Sequence, residues 1–256
     1  MNAILPFRAF LLVVMLALVC GAARAETADA LIAKGDAFDE RLNASEALKF
    51  FLPAEKLEPN NAELLVRIAR QYRHLMSDTS SKKEKLRLGN ISLEFAQRAA
   101  TLAPKDAEAQ LSPAISYGKM LPYMGSKEQV AASPKIKEAV DRTLQLNPKN
   151  DNAWHILGRW NRVLADINPV KRMLAGALYG NLPVTTYEAA EKCLLKAIAL
   201  NPNRIMHHIE LGRIYAAMGR KEDARKVVEK GLSMPNKEKD DPEMKTIGQE
   251  LLKKIG

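Results

Sequence analysis

Few side chains in this 256-residue chain could do chemistry. The four histidines are His74, His155, His207 and His208. They form no H-E-x-x-H pair, and the chain has no glycine-rich phosphate loop and no serine in a nucleophile elbow. His207 and His208 are adjacent, so on a helix they point apart and make a poor metal pair. His155 is expected to pack beside Trp154 and not to ligate anything. These patterns predict no catalytic residue, no metal and no cofactor. Arginine is what recurs: Arg67, Arg70 and Arg73 stand three apart, as do Arg159 and Arg162, and Arg213 follows in a similar setting. A guanidinium presents five N–H donors in a planar fork that suits carboxylate and phosphate oxygens. Six such groups make an anion-binding wall only if a repeated unit turns them the same way.

Composition favours helix. Hydrophobic residues are 47% of the chain and charged residues 27%, while aromatics are only 5%. Few aromatic and many Ala, Leu, Lys and Glu residues suit helices better than sheets. Residues 1–25 read as a secretory signal peptide: Arg8 supplies a positive charge, Phe10 to Val19 is apolar, and Ala23-Arg24-Ala25 offers small residues for cleavage after Ala25. An uncleaved anchor is disfavoured because the run is shorter than the roughly 20 residues that span a bilayer. A lipid-modified Cys20 is disfavoured by Val19 in a slot that wants a small residue. Removing the segment takes away Arg8 and Arg24, so the formal charge falls from +9 to +7 and stays basic. Of the two cysteines only Cys193 then remains, so no internal disulfide can form; it is expected to be a small buried apolar residue. Residues 26–256 are left as one folded domain.

The elements follow from spacing. In Asn152 to Trp160, Trp154 and Leu157 lie three apart on one helical face, and Gly158 lets a partner helix come close. A second helix should end near Pro202. The same order appears at Leu31, Gly35 and Phe38, followed by Ala47, Phe51, Ala54 and Pro59. An x-x-Leu-x-Pro close recurs at Pro59, Pro104, Pro148 and Pro202, each followed by a polar pair and a new helix. These are the intervals of the tetratricopeptide repeat (TPR). They predict an all-α solenoid of about five helix pairs with inserted helices and a C-terminal capping helix.

Within that frame the irregular stretches are also readable. Ser77 to Lys83 should be extra helix plus a polar turn. Pro113 should weaken or kink its helix. Met120 to Ser133, with Pro122, Gly125 and Ser133-Pro134, predicts a loop. The long insertion Val163 to Val184 should carry an apolar-faced helix over Pro169 to Gly180, and Asn236 to Asp241 should be a charged linker to a capping helix over Pro242 to Ile255.

The residues Ala153 to Trp160, Met173 to Gly180, Tyr187-Glu188-Ala189-Ala190 and Leu195 to Asn203 together resemble the regulator of microtubule dynamics family of TPR proteins. The likeness is strongest over residues 150–235 and stays in register from residue 30. It implies association with microtubules or tethering of organelle membranes, and lipid binding. The signal peptide departs from that, because it points to a bacterial envelope protein, where a microtubule partner would be absent.

In a TPR array the first helix of each unit lines the concave groove. The residue after the glycine slot, and the one three further on, should face it. They are Asp36 and Asp39, Arg70 and Arg73, Ile115 and Gly118, Arg159 and Arg162, and Arg213 and Ala216, with Arg67 nearby. The carboxylate clamp of chaperone-binding TPR domains is absent, since Ile32 and Asp36 fill its opening slots. The expectation is a non-catalytic, periplasmic or secreted interaction scaffold that takes an acidic protein or peptide partner on Arg67, Arg70, Arg73, Arg159, Arg162 and Arg213. The alternative is a lipid or amphiphile carrier with peripheral membrane contact through the apolar insertion. Nucleic acid is not expected, because stacking aromatics are few.

Overall fold

The computed structural model describes residues 26–167, 172, 173, 176 and 182–256. Among them stand eleven α-helices and no strand: α1 Ala28–Asp39, α2 Ala44–Leu57, α3 Ala62–Asp78, α4 Lys82–Leu102, α5 Ala107–Met120, α6 Ser126–Leu146, α7 Asp151–Ala165, α8 Tyr187–Leu200, α9 Ile205–Ala217, α10 Lys221–Ser233 and α11 Asp241–Ile255. The polar pair after Pro59, Pro104 and Pro148 supplies the cap of the next helix, whereas Arg204 after Pro202 gives no side-chain cap. Asn61, Asp106 and Asn150 each accept a backbone N–H two or three residues into α3, α5 and α7. Such a cap satisfies one of the helix's orphan donors. Leu42 takes φ 56° between α1 and α2, the one positive φ at a non-glycine residue among those described. Asn43 then caps α2.

Each helix packs on the next, and α3, α5, α7 and α9 also touch in succession. First helices therefore form one layer and second helices flank it. The close crossings fall where small residues were expected. A Cβ on Gly158 would sit 1.7 Å from Leu194 Cδ2 and 3.2 Å from the Ala190 carbonyl oxygen, and one on Gly35 would sit 2.3 Å from Phe51 Cε1. Leu194 and Phe51 are fully buried, so neither has room to yield. α11 lies against α9 and α10 and closes that end of the stack.

Some expectations need revision or lie elsewhere. The loop expected over Met120 to Ser133 is a short 3-10 turn, Leu121–Tyr123, followed directly by α6, which runs through Pro134. Glu128 accepts the Gly125 N–H at 2.8 Å, and the Gln129 amide donates to the carbonyls of Leu121 and Met124. These bonds start the helix well before the proline, and burial of Ala132 and Ile136 holds it beyond. α5 runs on through Pro113, with Leu111, Ala114 and Tyr117 buried around it. The apolar-faced helix expected over Pro169 to Gly180 lies outside the described residues, apart from Arg172, Met173 and Gly176. So does the signal peptide. Where the chain returns, Arg172 donates to the carbonyls of Leu164, Leu182 and Pro183. Among the described residues no helix is long and apolar enough to cross a membrane.

Candidate functional site

The first-helix layer curves around a cavity of about 1070 Å³. All six arginines singled out from the sequence border it, as do Asp36, Asp39, Ile115 and Gly118; Ala216 does not. Ten cationic and six acidic side chains line it among the described residues, so its walls are net positive. One flank is apolar, with Ile115, Val130, Ile136, Ile156 and Trp160.

The arginines are not equivalent. Arg67 donates to Asp36 at 2.8 Å and to Glu63 at 2.9 Å, and Arg70 pairs with Asp39 at 2.6 Å. Burial would lower the Arg67 pKa, but Asp36 and Glu63 overcome it and hold the pKa above the usual value. These two cations are neutralised by the preceding unit's own groove residues. Further along, Arg162 Nε meets Glu210 at 2.6 Å and Arg213 meets the other oxygen at 3.1 Å. Glu210 is 2% exposed. Burial alone would raise its pKa, but Arg162, Arg213 and Arg159 hold it down at about 2.

Arg73 and Arg159 stand apart. Arg73 is 7% exposed, and its Nη1 donates only to hydroxyls, Ser116 at 3.1 Å, Ser112 at 3.3 Å and Ser92 at 3.5 Å. Burial pushes its pKa down to about 9, so it stays charged at neutral pH. Arg159 has no carboxylate within 4.0 Å among the described residues, and burial lowers its pKa too. A guanidinium held out of bulk water without a counter-charge is unfavourable. The cavity thus holds two cations whose balance is incomplete.

Several participants escaped the sequence reading. The segment Lys237 to Asp240, part of the stretch expected as a charged linker, lines the cavity and ties to distant units. Asp240 pairs with Lys119 at 2.5 Å and accepts from Ser77 at 2.8 Å, Lys239 pairs with Asp78 at 2.6 Å, and Glu238 pairs with Arg204 at 2.7 Å. It forms a strap from the last unit to the ends of α3 and α5. Glu210 could have been noticed as an acid inside the otherwise apolar run Ile209 to Leu211, three residues before Arg213. His155 does not simply pack beside Trp154: its Nδ1 lies 3.1 Å from His207 Nδ1, and it lines the cavity. No group of three or more His, Cys, Asp or Glu residues could hold a metal among those described. Cys193 is buried, as expected, and its thiol sits 3.7 Å from the Asn161 amide.

Comparison with known proteins agrees with this architecture. A thermophilic TPR protein of Thermus thermophilus superposes with a TM-score of 0.60 over 88% of this chain and 99% of its own, at 17% identity, a likeness of fold alone. Regulator of microtubule dynamics protein 1 of Mus musculus is 30% identical over 198 residues, 76% of this chain and 65% of the mouse protein. Regulator of microtubule dynamics protein 3 of Xenopus laevis is 25% identical over 208 residues, 81% of this chain and 45% of its own length. The chain therefore spans less than two thirds of these relatives. The profile described as Regulator of microtubule dynamics protein 1-3 matches residues 25–256, the whole helical array. With that match over nearly the whole chain, the chain belongs to the regulator of microtubule dynamics protein 1-3 family.

Proposed function

We propose that this protein is a non-catalytic interaction scaffold that receives an acidic segment of a partner protein in the cavity between its first helices. The observation that carries this reading is the pair of guanidinium groups, Arg73 and Arg159, that face the cavity without a carboxylate. Arg67, Arg70, Arg162 and Arg213 complete the wall, but as cations already paired to acids they orient a guest more than they attract it. The relatives' name, regulators of microtubule dynamics, fits a partner that is itself a protein. The apolar run and cleavage-like residues before Glu26 support export to a bacterial envelope, which cell fractionation tests directly; full retention in the cytoplasm would refute it.

The test is binding of a fluorescent hexaglutamate peptide, followed by anisotropy. Arg159→Glu should weaken it by at least about tenfold, the order expected when a desolvated charge contact of roughly 1.5 kcal/mol or more is reversed. Arg67→Glu, whose charge Asp36 and Glu63 already balance, should change it much less. Equal losses from the two variants would sink the reading.

A second reading rests on the cavity's apolar flank. Ile115, Val130, Ile136, Ile156 and Trp160 opposite cationic groups would also suit an anionic amphiphile, as a lipid carrier requires. Mass spectrometry of the purified protein separates the two: a stoichiometric co-purifying lipid favours the carrier.

A further inference from the structure

Asp151, His207 and His155 form a hydrogen-bonded chain that ends in the cavity. Asp151 Oδ2 lies 2.9 Å from His207 Nε2 and also accepts from Arg204 at 2.7 Å. Burial would raise the Asp151 pKa, but His207 and Arg204 hold it at about 2, so this carboxylate only accepts. His207 Nε2 must then carry a proton. His207 is fully buried, and burial lowers its pKa, so the ring is neutral and Nδ1 is an acceptor. Across 3.1 Å, His155 Nδ1 must be the donor. That leaves His155 Nε2 as a bare lone pair.

Nothing among the described residues bonds to that nitrogen, yet it is not sealed off. The buried side-chain atoms without a partner are Gln71 Oε1, His74 Nδ1 and His208 Nδ1. His155, 3% exposed, therefore meets the cavity through Nε2, on the same helix and one turn from Arg159. A lone pair there repels an anionic oxygen that Arg159 attracts.

We propose that His155 is a further anchor of the oxyanion subsite at Arg159, and that the Asp151–His207–His155 chain takes up one proton when a carboxylate or phosphate oxygen binds. The proton comes from solvent and adds to His155 Nε2. The proton on His155 Nδ1 moves to His207 Nδ1. His155 ends neutral, now donating N–H to the guest, and the new charge rests on His207 beside Asp151. Other charged groups around the chain act on it from each side. From α9 and its start these are Glu210, Arg213 and Arg204, and from α7 itself Arg159 and Arg162. From α5 Glu108 lines the same cavity, whereas Lys137 of α6 and Cys193 of α8 touch α7 at Trp160 and Asn161. At His155 Glu210 favours the added proton and Arg159 and Arg204 oppose it; at His207, where the charge comes to rest, Asp151 favours it and Arg204 and His208 oppose it until an anion offsets the arginines.

This inference rests on the anion-binding reading above, and its test separates the two. Calorimetric titration of the full chain with hexaglutamate peptide, and separately with sulfate, in buffers of different ionisation enthalpy counts protons taken up. Neither anion gains a proton itself near neutral pH, and sulfate tells a bare oxyanion from a peptide chain. Uptake approaching one proton per site is expected, with affinity falling by up to about tenfold for each pH unit of rise above the depressed titration range of the unliganded histidine pair. His155→Gln should flatten that profile while binding stays dependent on Arg159. Nitrogen chemical shifts of the histidines in the unaltered protein give an independent readout: His155 should exchange its protonated nitrogen on binding. Arg159-dependent binding with no proton uptake and unchanged histidine shifts overturns the relay alone. No binding of either anion at any pH overturns both readings.

Discussion

Replacing Arg73 by methionine should make this protein more stable and worse at its task. The guanidinium is buried with three hydroxyls and no carboxylate. Its pKa falls from 12.5 to about 9. That is about 3.5 pH units, or about 5 kcal/mol against the folded state at neutral pH, at 1.36 kcal/mol per unit. The sign follows from a cation whose folded pKa is depressed: the cost is complete below about pH 9 and fades as the pH climbs toward the unfolded value. Against this, methionine forfeits the hydroxyl contacts, but Nη1 has only two hydrogens for three hydroxyls at 3.1–3.5 Å, so these long, shared bonds count for about 1 kcal/mol each, below the usual value for a charged donor. The serines are not abandoned, because Ser92 and Ser116 stay 2.9 Å from each other and Ser92 keeps the Ala69 carbonyl. A net gain of about 2 kcal/mol remains, or a rise in Tm of about 4–8 °C for a chain this long. Thermal melts with and without hexaglutamate at saturating concentration test it. The unaltered protein should gain about 2–3 kcal/mol from ligand at 100-fold over Kd, and the variant far less. A variant that melts lower than its parent, or gains as much from the peptide, would refute the argument that Arg73 awaits a counter-charge.

The other expectations concern the walls around that site. Glu210→Gln should cost about 3 kcal/mol at pH 7, because the folded pKa of about 2 lies well below the unfolded value near 4.5. That difference should shrink as pH falls from about 4.5 toward 2, while anion affinity rises because Arg213 loses its partner and Arg162 keeps only Asp166; urea melts across this range combined with peptide binding give both signs. Gly158→Ala gains about 1 kcal/mol of helix propensity but drives a Cβ to 1.7 Å from Leu194 Cδ2, so a net loss of about 1–3 kcal/mol is expected in thermal melts. Asp240→Asn unties the strap from Lys119; with Asp240 42% exposed the stability change should stay below about 1 kcal/mol, while stopped-flow release of peptide quickens several-fold.

The repeat architecture was legible because it is written in local spacing. Leu, Gly and large apolar residues at fixed steps say which face is buried and where helices cross, as Gly158 over Leu194 and Gly35 over Phe51 bear out. Polar residues after Pro59, Pro104 and Pro148 announce the caps at Asn61, Asp106 and Asn150. The same periodicity turned the six arginines toward one cavity. Local spacing failed before Pro134, where burial of Ala132 and Ile136 outweighed the missing N–H. It also could not say which arginines were free, since Asp39, Glu210 and the three serines meet their partners only after separate helices are stacked. The strap from Asp240 to Lys119 and the contact between His155 and His207 join residues 121 and 52 positions apart. Charge balance depends on such distances in space. A helical period reports direction around one axis and carries no information about what stands opposite.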